Sequence, residues 1–415
     1  AGVSYDDFSS VGTMTNLTAD KNGMRLALEG HNYTNMVDTG WETGTHNGTT
    51  EVDNQYLQLA RSGTNYSRVW ASAEDWEASE NTLDNVRSVS DLLVLNNLPD
   101  FDFIDEMSIY TLEWRVQTAT GGTVTQQPGW VRIQGTNVSA NFGIDTQNNA
   151  AVVTEFPCTL FVLYRGRSGS NNRFIVEDGS TIGYTYTFND TENQWNAYWF
   201  RFTGTQGFVY KNGTLVGTLS PRASTSANQI QIDILTGNSG DFDIGAVYAA
   251  WGTDLGPPPS SGWWTGSWTT PFIPISSVGN VLANNISWGY WASVINWEEF
   301  ELNPAAFIGV EIQYRLRVNG VEGAWKTIFN DPAGEGLGDA PIADLPKGVN
   351  LANTEIQLRV LFSTRDPIST PWLEVLELNL TSGYNTTGYW DSVVITDIQQ
   401  VGKAASSRVT WEVND

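Results

Sequence analysis

Hydrophobic and polar residues alternate with period two along much of this chain. The clearest case is 229–234, where Ile230, Ile232 and Ile234 interleave with Gln229, Gln231 and Asp233. Strict alternation predicts a strand with one buried face. Upstream, apolar runs at 208–210 and 215–219 flank Asn212-Gly213. That dipeptide closes a two-residue hairpin, because both central residues of a type I′ turn need positive φ. Downstream, the turn cluster 237–241 leads into a last strand through Ile244, Val247 and Trp251. Further strands are predicted at 56–59, 66–70, 108–116, 130–133, 140–144, 174–176, 184–188 and 195–202. The run 159–164 is continuously apolar and reads as a central strand. Residues 84–95 read equally as a short helix or as irregular chain. Short strands separated by polar turns predict an all-β sandwich.

The pattern breaks at Gly256-Pro257-Pro258-Pro259-Ser260-Ser261-Gly262. Three prolines favour extended polyproline II, so this stretch reads as a semi-rigid spacer. Beyond it, alternation resumes at 310–318, 354–362 and 371–380. The expected organisation is an N-terminal arm over 1–30, a first sandwich over 31–254, the linker over 255–262, and a second, smaller sandwich over 263–383. Residues 384–415 complete it as terminal strands or an assembly arm.

The stretch from the Asn212-Gly213 hairpin to the closing Asp243-Ile244-Gly245-Ala246-Val247-Tyr248 resembles the end of a laminin-G-like or concanavalin-A-like lectin domain. The resemblance implies a jelly-roll sandwich over 31–254. The second unit, with its 310–318, 354–362 and 371–380 strands, resembles a small β-sandwich common in bacteriophage tail and other virion proteins. These folds host lectins, adhesins, hydrolases and spacers alike, so function must be argued from a site.

Composition narrows the classes. The net charge is −25, with sixteen arginines and only five lysines. This argues against nucleic acid as a partner, because nothing neutralises phosphates, and against an anionic membrane surface. No run of 18 apolar residues is present, so no transmembrane helix is expected. The single Cys158 excludes an intrachain disulfide and reads as a small core hydrophobe. The chain begins Ala-Gly-Val-Ser without an apolar leader, which suits either a cleaved signal or a trimmed initiator Met.

Candidate chemistry is sparse. His31 and His46 lack the spacing of a zinc site, and no Gly-X-Ser-X-Gly elbow occurs. Acids at 100–106 and 298–301 are the nearest to a glycosidase strand, with Asp100 and Asp102 on one face. Asn238, Asp241 and Asp243 form a turn whose oxygen ligands suit Ca²⁺. Trp195 and Trp199 are candidates for a sugar-stacking platform, although alternating tryptophans in strands also fill cores. Trp263, Trp264 and Trp268 beside the linker read as an interdomain or intersubunit packing patch.

These observations lead to the expectation of a non-enzymatic virion protein of a tailed phage or similar virus. It would be a tail, fibre or capsid-surface component, a homo-oligomer among other virion proteins, with the first sandwich touching host-surface glycan or protein. Two alternatives stand beside it: a secreted carbohydrate-binding module or polysaccharide-active enzyme, and a purely structural stabiliser of a capsid or tube.

Overall fold

The computed structural model describes residues 17–20, 25–28, 31–32, 45–47, 49–52, 56–105, 107, 114–117, 119–146, 154–169, 171–179, 182–224, 228–292, 309–331, 334–387 and 389–391. Among these residues the chain is almost entirely β-strand, arranged as two antiparallel sandwiches. The expected all-β, jelly-roll type of architecture is what the strands build.

The first sandwich has an eight-stranded sheet. Its order is Gly122–Gln127, Trp130–Gly135, Gly240–Trp251, Cys158–Gly169, Trp195–Phe202, Gly207–Lys211 and Thr214–Leu219, with Phe103–Asp105 also paired to Gly240–Trp251. The six-stranded partner runs Arg115–Val116, Phe142–Asp145, Asn228–Ile234, Asn172–Asp178, Ile182–Phe188 and Arg222–Ala223. Side chains alternate across each strand, so Leu160, Val162, Tyr198, Phe200, Phe202, Phe242 and Ile244 fill the space between the sheets. They meet Phe174, Val176, Ile230, Ile232 and Ile234 from the other side. Phe174 stacks on Phe200 at 4.3 Å and Tyr184 on Phe202 at 4.5 Å. Cys158 is buried in this core, and burial raises its thiol pKa well above the ordinary value. Asn212 and Gly213 take φ of 50° and 83°, as a type I′ turn requires, and Lys211 pairs with Thr214 across it.

The second sandwich corrects the expected boundary. One of its sheets runs Gly334–Ala340, Val281–Ala292, Trp372–Ser382, Leu92–Leu95 and Val86–Val89, with Tyr66–Trp70 further along the same edge of Trp372–Ser382 as Leu92–Leu95. The other runs Val321–Glu322, Val310–Val318, Thr354–Thr364, Trp264–Thr269 and Thr82–Asp84, with Ile273–Pro274 and Lys326–Asp331 alongside. Strands between Tyr66 and Leu95 therefore belong with the C-terminal strands, not with the first sandwich. The eight- and six-stranded sandwich is an insertion between Leu95 and Trp264. The stretch 84–95 is neither helix nor irregular; it makes two strands joined at Ser90-Asp91, whose φ of 50° and 68° form another tight turn.

At the ends, Leu17–Asp20, Arg25–Leu28 and His31–Asn32 form a small antiparallel sheet, and Tyr389–Asp391 pairs with Thr45–Asn47. Most of the strand expected over 108–116 lies outside the described residues, as do the acids of 298–301 and the chain after 391.

The two sandwiches share one apolar cluster. Phe161, Leu163, Trp199, Ala246, Tyr248 and Ala250 point from the outer face of the eight-stranded sheet into the core of the second sandwich. Phe101 packs edge-on to Trp199 at 5.8 Å, Phe161 stacks on Tyr248 at 5.2 Å, and Trp264 meets Trp199 at 5.8 Å. The linker joins in: Gly256 accepts a hydrogen bond from the Trp199 indole at 3.0 Å. The Gly213 turn sits close against it, because a Cβ there would lie 2.4 Å from Pro259 O and Gly262 N.

Candidate functional site

Among the described residues the second sandwich covers one end of that outer sheet face. At the other end a polar row crosses four strands. Register places Asp243 opposite Arg132 on one side and Arg165 on the other, and Arg165 opposite Trp195. Directly opposed residues on one face touch, and the inner neighbours Val131, Ile133, Phe242 and Ile244 anchor the strands in the core.

Asp243 is fully buried. Its Oδ2 accepts from Arg165 Nε at 2.5 Å and from Arg167 Nε at 2.7 Å. Asp241, two residues back on the same face, accepts a bidentate pair from Arg132, Nε at 2.9 Å and Nη2 at 2.7 Å, and a bond from the Gln134 amide at 3.2 Å. The two carboxyls are driven apart. Burial raises the Asp243 pKa above the ordinary 3.8, although the charges of Arg165 and Arg167 and their hydrogen bonds oppose it. Burial also pushes Asp241 upward, but the Arg132 bonds and charge outweigh it and leave the group below 3.8.

Two half-buried indoles frame these charges. Trp130 and Trp195 lie edge-to-face at 6.4 Å. The Arg165 guanidinium sits 4.5 Å from the Trp195 ring and 4.9 Å from Trp130, and Arg167 lies 5.5 Å from Trp130. Among the described residues three guanidinium groups face two carboxylates here. The cluster presents aromatic planes and N–H donors side by side.

The expected site residues are distributed differently. Trp195 stands in this cluster. Trp199 does not: at 4 % exposure it is sealed beneath Trp264 and the linker, so it serves the interface and not a surface platform. Trp264 packs between the sandwiches, as an interdomain patch should. Trp268 is in the core of the second sandwich, edge-on to Trp70 and Trp76, with its indole N–H on Trp76 O at 2.9 Å. Trp263 lies under the Arg365 guanidinium at 4.3 Å. These contacts are within the chain, which corrects an intersubunit role for Trp264 and Trp268.

The calcium arrangement is also corrected. The carboxylates of Asp241 and Asp243 are turned to arginines, and a cation there would face three like charges. Asn238 instead ties its own loop, donating to Leu235 O and Thr236 O and accepting from Asn171. Among the described residues no group of three His, Cys, Asp or Glu is placed to hold a metal. Asp102 caps a strand by accepting from Trp251 N at 2.8 Å, and Asp105 accepts from Trp114 Nε1 and Met107 N. The face's other members, Trp130, Arg132, Arg165 and Arg167, escaped the sequence analysis. Their signal was the spacing: each pair sits two residues apart, hence on one face of a strand.

No protein-family model and no curated protein matches the chain. Solved structures resemble it in fold. An endo-acting O-glycanase from members of the human gut microbiota is 11% identical over 36% of this chain and 99% of its own, with a TM-score of 0.26. A Bacillus licheniformis β-glucanase is 12% identical over 36% of this chain and 97% of its own, with a TM-score of 0.27. An archaeal virus turret protein with a triple jelly roll is 10% identical over 65% of this chain and 59% of its own, with a TM-score of 0.14. The expectation that the chain is not an enzyme is corrected by these matches, since proteins named for cleaving glycans share its type of sandwich. No helix among the described residues is long and apolar enough to cross a membrane. Among the described residues the chain has a jelly-roll-like β-sandwich fold.

Proposed function

We propose that this is a carbohydrate-binding β-sandwich protein, and that the open end of the eight-stranded sheet is its binding face. The observation that carries this is the Trp130–Trp195 pair, two half-buried indoles set beside fixed polar groups of Arg132, Arg165, Arg167, Asp241 and Gln134. An indole plane takes the apolar face of a pyranose, while a few positioned polar groups fix its orientation. The second sandwich covers the other half of the same face, so the shelf is rigid before a ligand arrives. The laminin-G-like or concanavalin-A-like resemblance fits this use of the fold.

The test is a glycan array on the full chain, followed by calorimetry with the best oligosaccharide. W130A and W195A each weaken binding by about tenfold, equivalent to ~1.4 kcal/mol. Absence of binding to any glycan, or binding indifferent to both substitutions, overturns the proposal.

A second reading, a virion-surface component that uses this face on host glycan, is supported by the far side of the other sandwich. The strand Gly334–Ala340 pairs on one side only among the described residues and leaves Leu337 84 % exposed; Val321, on an edge strand of the other sheet, is 73 % exposed. Apolar groups on an open strand edge suit a neighbouring subunit. Light scattering of wild type and L337K tests this: an oligomer that the lysine dissociates supports it, and a monomer at every concentration refutes it.

A further inference from the structure

We infer that the Trp130 end of this face reads adjacent hydroxyls on an uncharged glycan, and that Arg132, Gln134 and Asp241 are the residues that read them. The inference rests on the carbohydrate-binding proposal and deepens it to the class of sugar.

The polar atoms left open at this end are of both kinds. Asp241 Oδ2 accepts twice, from Arg132 Nη2 at 2.7 Å and from the Gln134 amide at 3.2 Å, whereas Oδ1 accepts once, from Arg132 Nε at 2.9 Å. A carboxylate has about four lone-pair sites, so one remains on Oδ1, and the side chain is 19 % exposed. Gln134 gives an N–H to Asp241, and its carbonyl oxygen accepts from no described residue. Arg132 spends Nε and one N–H of Nη2 on Asp241; the rest of its fork of five donors stays open at 31 % exposure.

A hydroxyl is the group that fits such a set, because it donates and accepts at once. One hydroxyl on a ring donates to Asp241 or Gln134 while its neighbour accepts from Arg132. A carboxylate or sulfate only accepts, so it leaves both acceptors unserved and sets its charge beside that of Asp241. The Arg132–Asp241 pair cancels its own charge and offers a ligand of either sign no net attraction.

Placement along the sheet adds to this. Trp130, Arg132 and Gln134 share the outer face of one strand, because Val131 and Ile133 between them fill the core. Successive members stand roughly 6–7 Å apart, so a pyranose against the Trp130 indole carries the next unit past Arg132 toward Gln134. Register sets Thr125 opposite Arg132 and Thr123 opposite Gln134 on the edge strand, and both threonines are exposed. Their hydroxyls extend the row with further uncharged donors and acceptors. Asp243 and Arg165, by contrast, are buried and brace the shelf from beneath.

The experiment is calorimetry on the full chain with cellohexaose, mannohexaose, galactohexaose and an oligogalacturonate hexamer, and with the per-O-methylated form of the neutral hexamer that binds best. We expect at least one neutral hexamer to bind about tenfold tighter than oligogalacturonate, a gap of ~1.4 kcal/mol. Methylation keeps the ring faces and the ether acceptors but removes the O–H donors, so it weakens binding by about tenfold. Q134A and D241N each weaken the parent hexamer about fivefold, the size of one hydrogen bond, and change the methylated form by less than about twofold, which separates a lost hydrogen bond from the bulk of the methyl groups. A wild-type measurement stands independently of any variant's folding: the affinity for the neutral hexamer is unchanged between about 0.05 and 0.5 M NaCl. Oligogalacturonate bound tightest, or parent and methylated hexamers weakened alike by Q134A and D241N while W130A still weakens both, overturns this inference and leaves the carbohydrate proposal standing. No binding of any probe removes both.

Discussion

The substitution Asp243→Asn tests whether the charged row holds the sheet face together. Asp243 lies fully buried with one oxygen between Arg165 and Arg167. Its pKa is raised by burial in spite of both guanidiniums, so water holds this charge better than the site does. The intact cluster is therefore no large source of stability. Removing the carboxylate alone has a different effect, because it takes from Arg165, at 7 % exposure, a counter-charge held at 2.5 Å. Breaking a buried pair from one side costs about 3–5 kcal/mol. The two indoles against Arg165 retain about 0.5–2 kcal/mol each of cation–π attraction, which places the expected loss near the lower end, ~3 kcal/mol. At about 2–4 °C per kcal/mol for a unit of this size, melting falls by roughly 6–12 °C.

Two companions make the measurement decisive. In D254N the lost partner is Arg201, and both members of that pair are about a quarter exposed, so the cost stays within about 1 kcal/mol. In D243N/R165M the buried guanidinium goes with the carboxylate, Arg167 is 23 % exposed and can be hydrated, and a methionine packs between Trp130 and Trp195, so at least half of the loss returns. The assay is urea denaturation of the full chain followed by tryptophan fluorescence. A D243N variant within about 1 kcal/mol of wild type refutes the reasoning. So does a double variant as unstable as the sum of the single ones.

Three further outcomes follow from the geometry. Gly213 and Gly320 both occupy positive φ in tight turns, but a Cβ at Gly213 meets the linker backbone at 2.4 Å while one at Gly320 meets nothing; G320A costs about 1 kcal/mol and G213A clearly more, and equal melting temperatures contradict this. Cys158 is buried and its thiol pKa raised, so it resists a thiol reagent until urea unfolds the core; rapid labelling of the native chain contradicts its placement. The carboxyls two residues apart titrate on opposite sides of 3.8, Asp241 below and Asp243 above. Asp241 thus adds stability above the ordinary value that is lost as pH falls through its folded pKa, whereas Asp243 subtracts stability as pH rises from 3.8 through its own. Carbon-detected carboxyl titration by NMR reads both, and midpoints on the same side refute the assignment.

What the sequence disclosed was whatever is decided within a few residues. Alternation at Ile230, Ile232 and Ile234 marks a buried face because side chains must alternate across a strand, and Asn212-Gly213 marks a turn because few other dipeptides tolerate its φ values. Pairing over long separations leaves no such trace. Nothing near Tyr66–Trp70 announces that it will hydrogen-bond to Trp372–Ser382, so the inserted sandwich looked like the first domain. The site failed to show for the same reason. Asp241 and Asp243 read as cation ligands because their turn was in view, whereas the arginines that claim them lie 109 and 78 positions away.

The insertion itself explains why Trp195 and Trp199, on one face of one strand, have opposite fates. A sandwich needs only its inner faces for a core, so the outer face of the eight-stranded sheet is available for other use. The second sandwich takes the half around Phe161, Tyr248 and Trp199, and the chain crosses between the units twice, before Phe103 and after Trp251. Two crossings and a shared aromatic cluster hold that half fixed. The same strands then continue past the edge of the cover, and there the side chains change from apolar to charged: Leu163 gives way to Arg165, Ala246 to Asp243, and Trp199 to the half-exposed Trp195. A shelf built on strands clamped at one end needs little reordering when a ligand arrives, which is what the proposed binding of a many-hydroxyl, well-hydrated ligand demands.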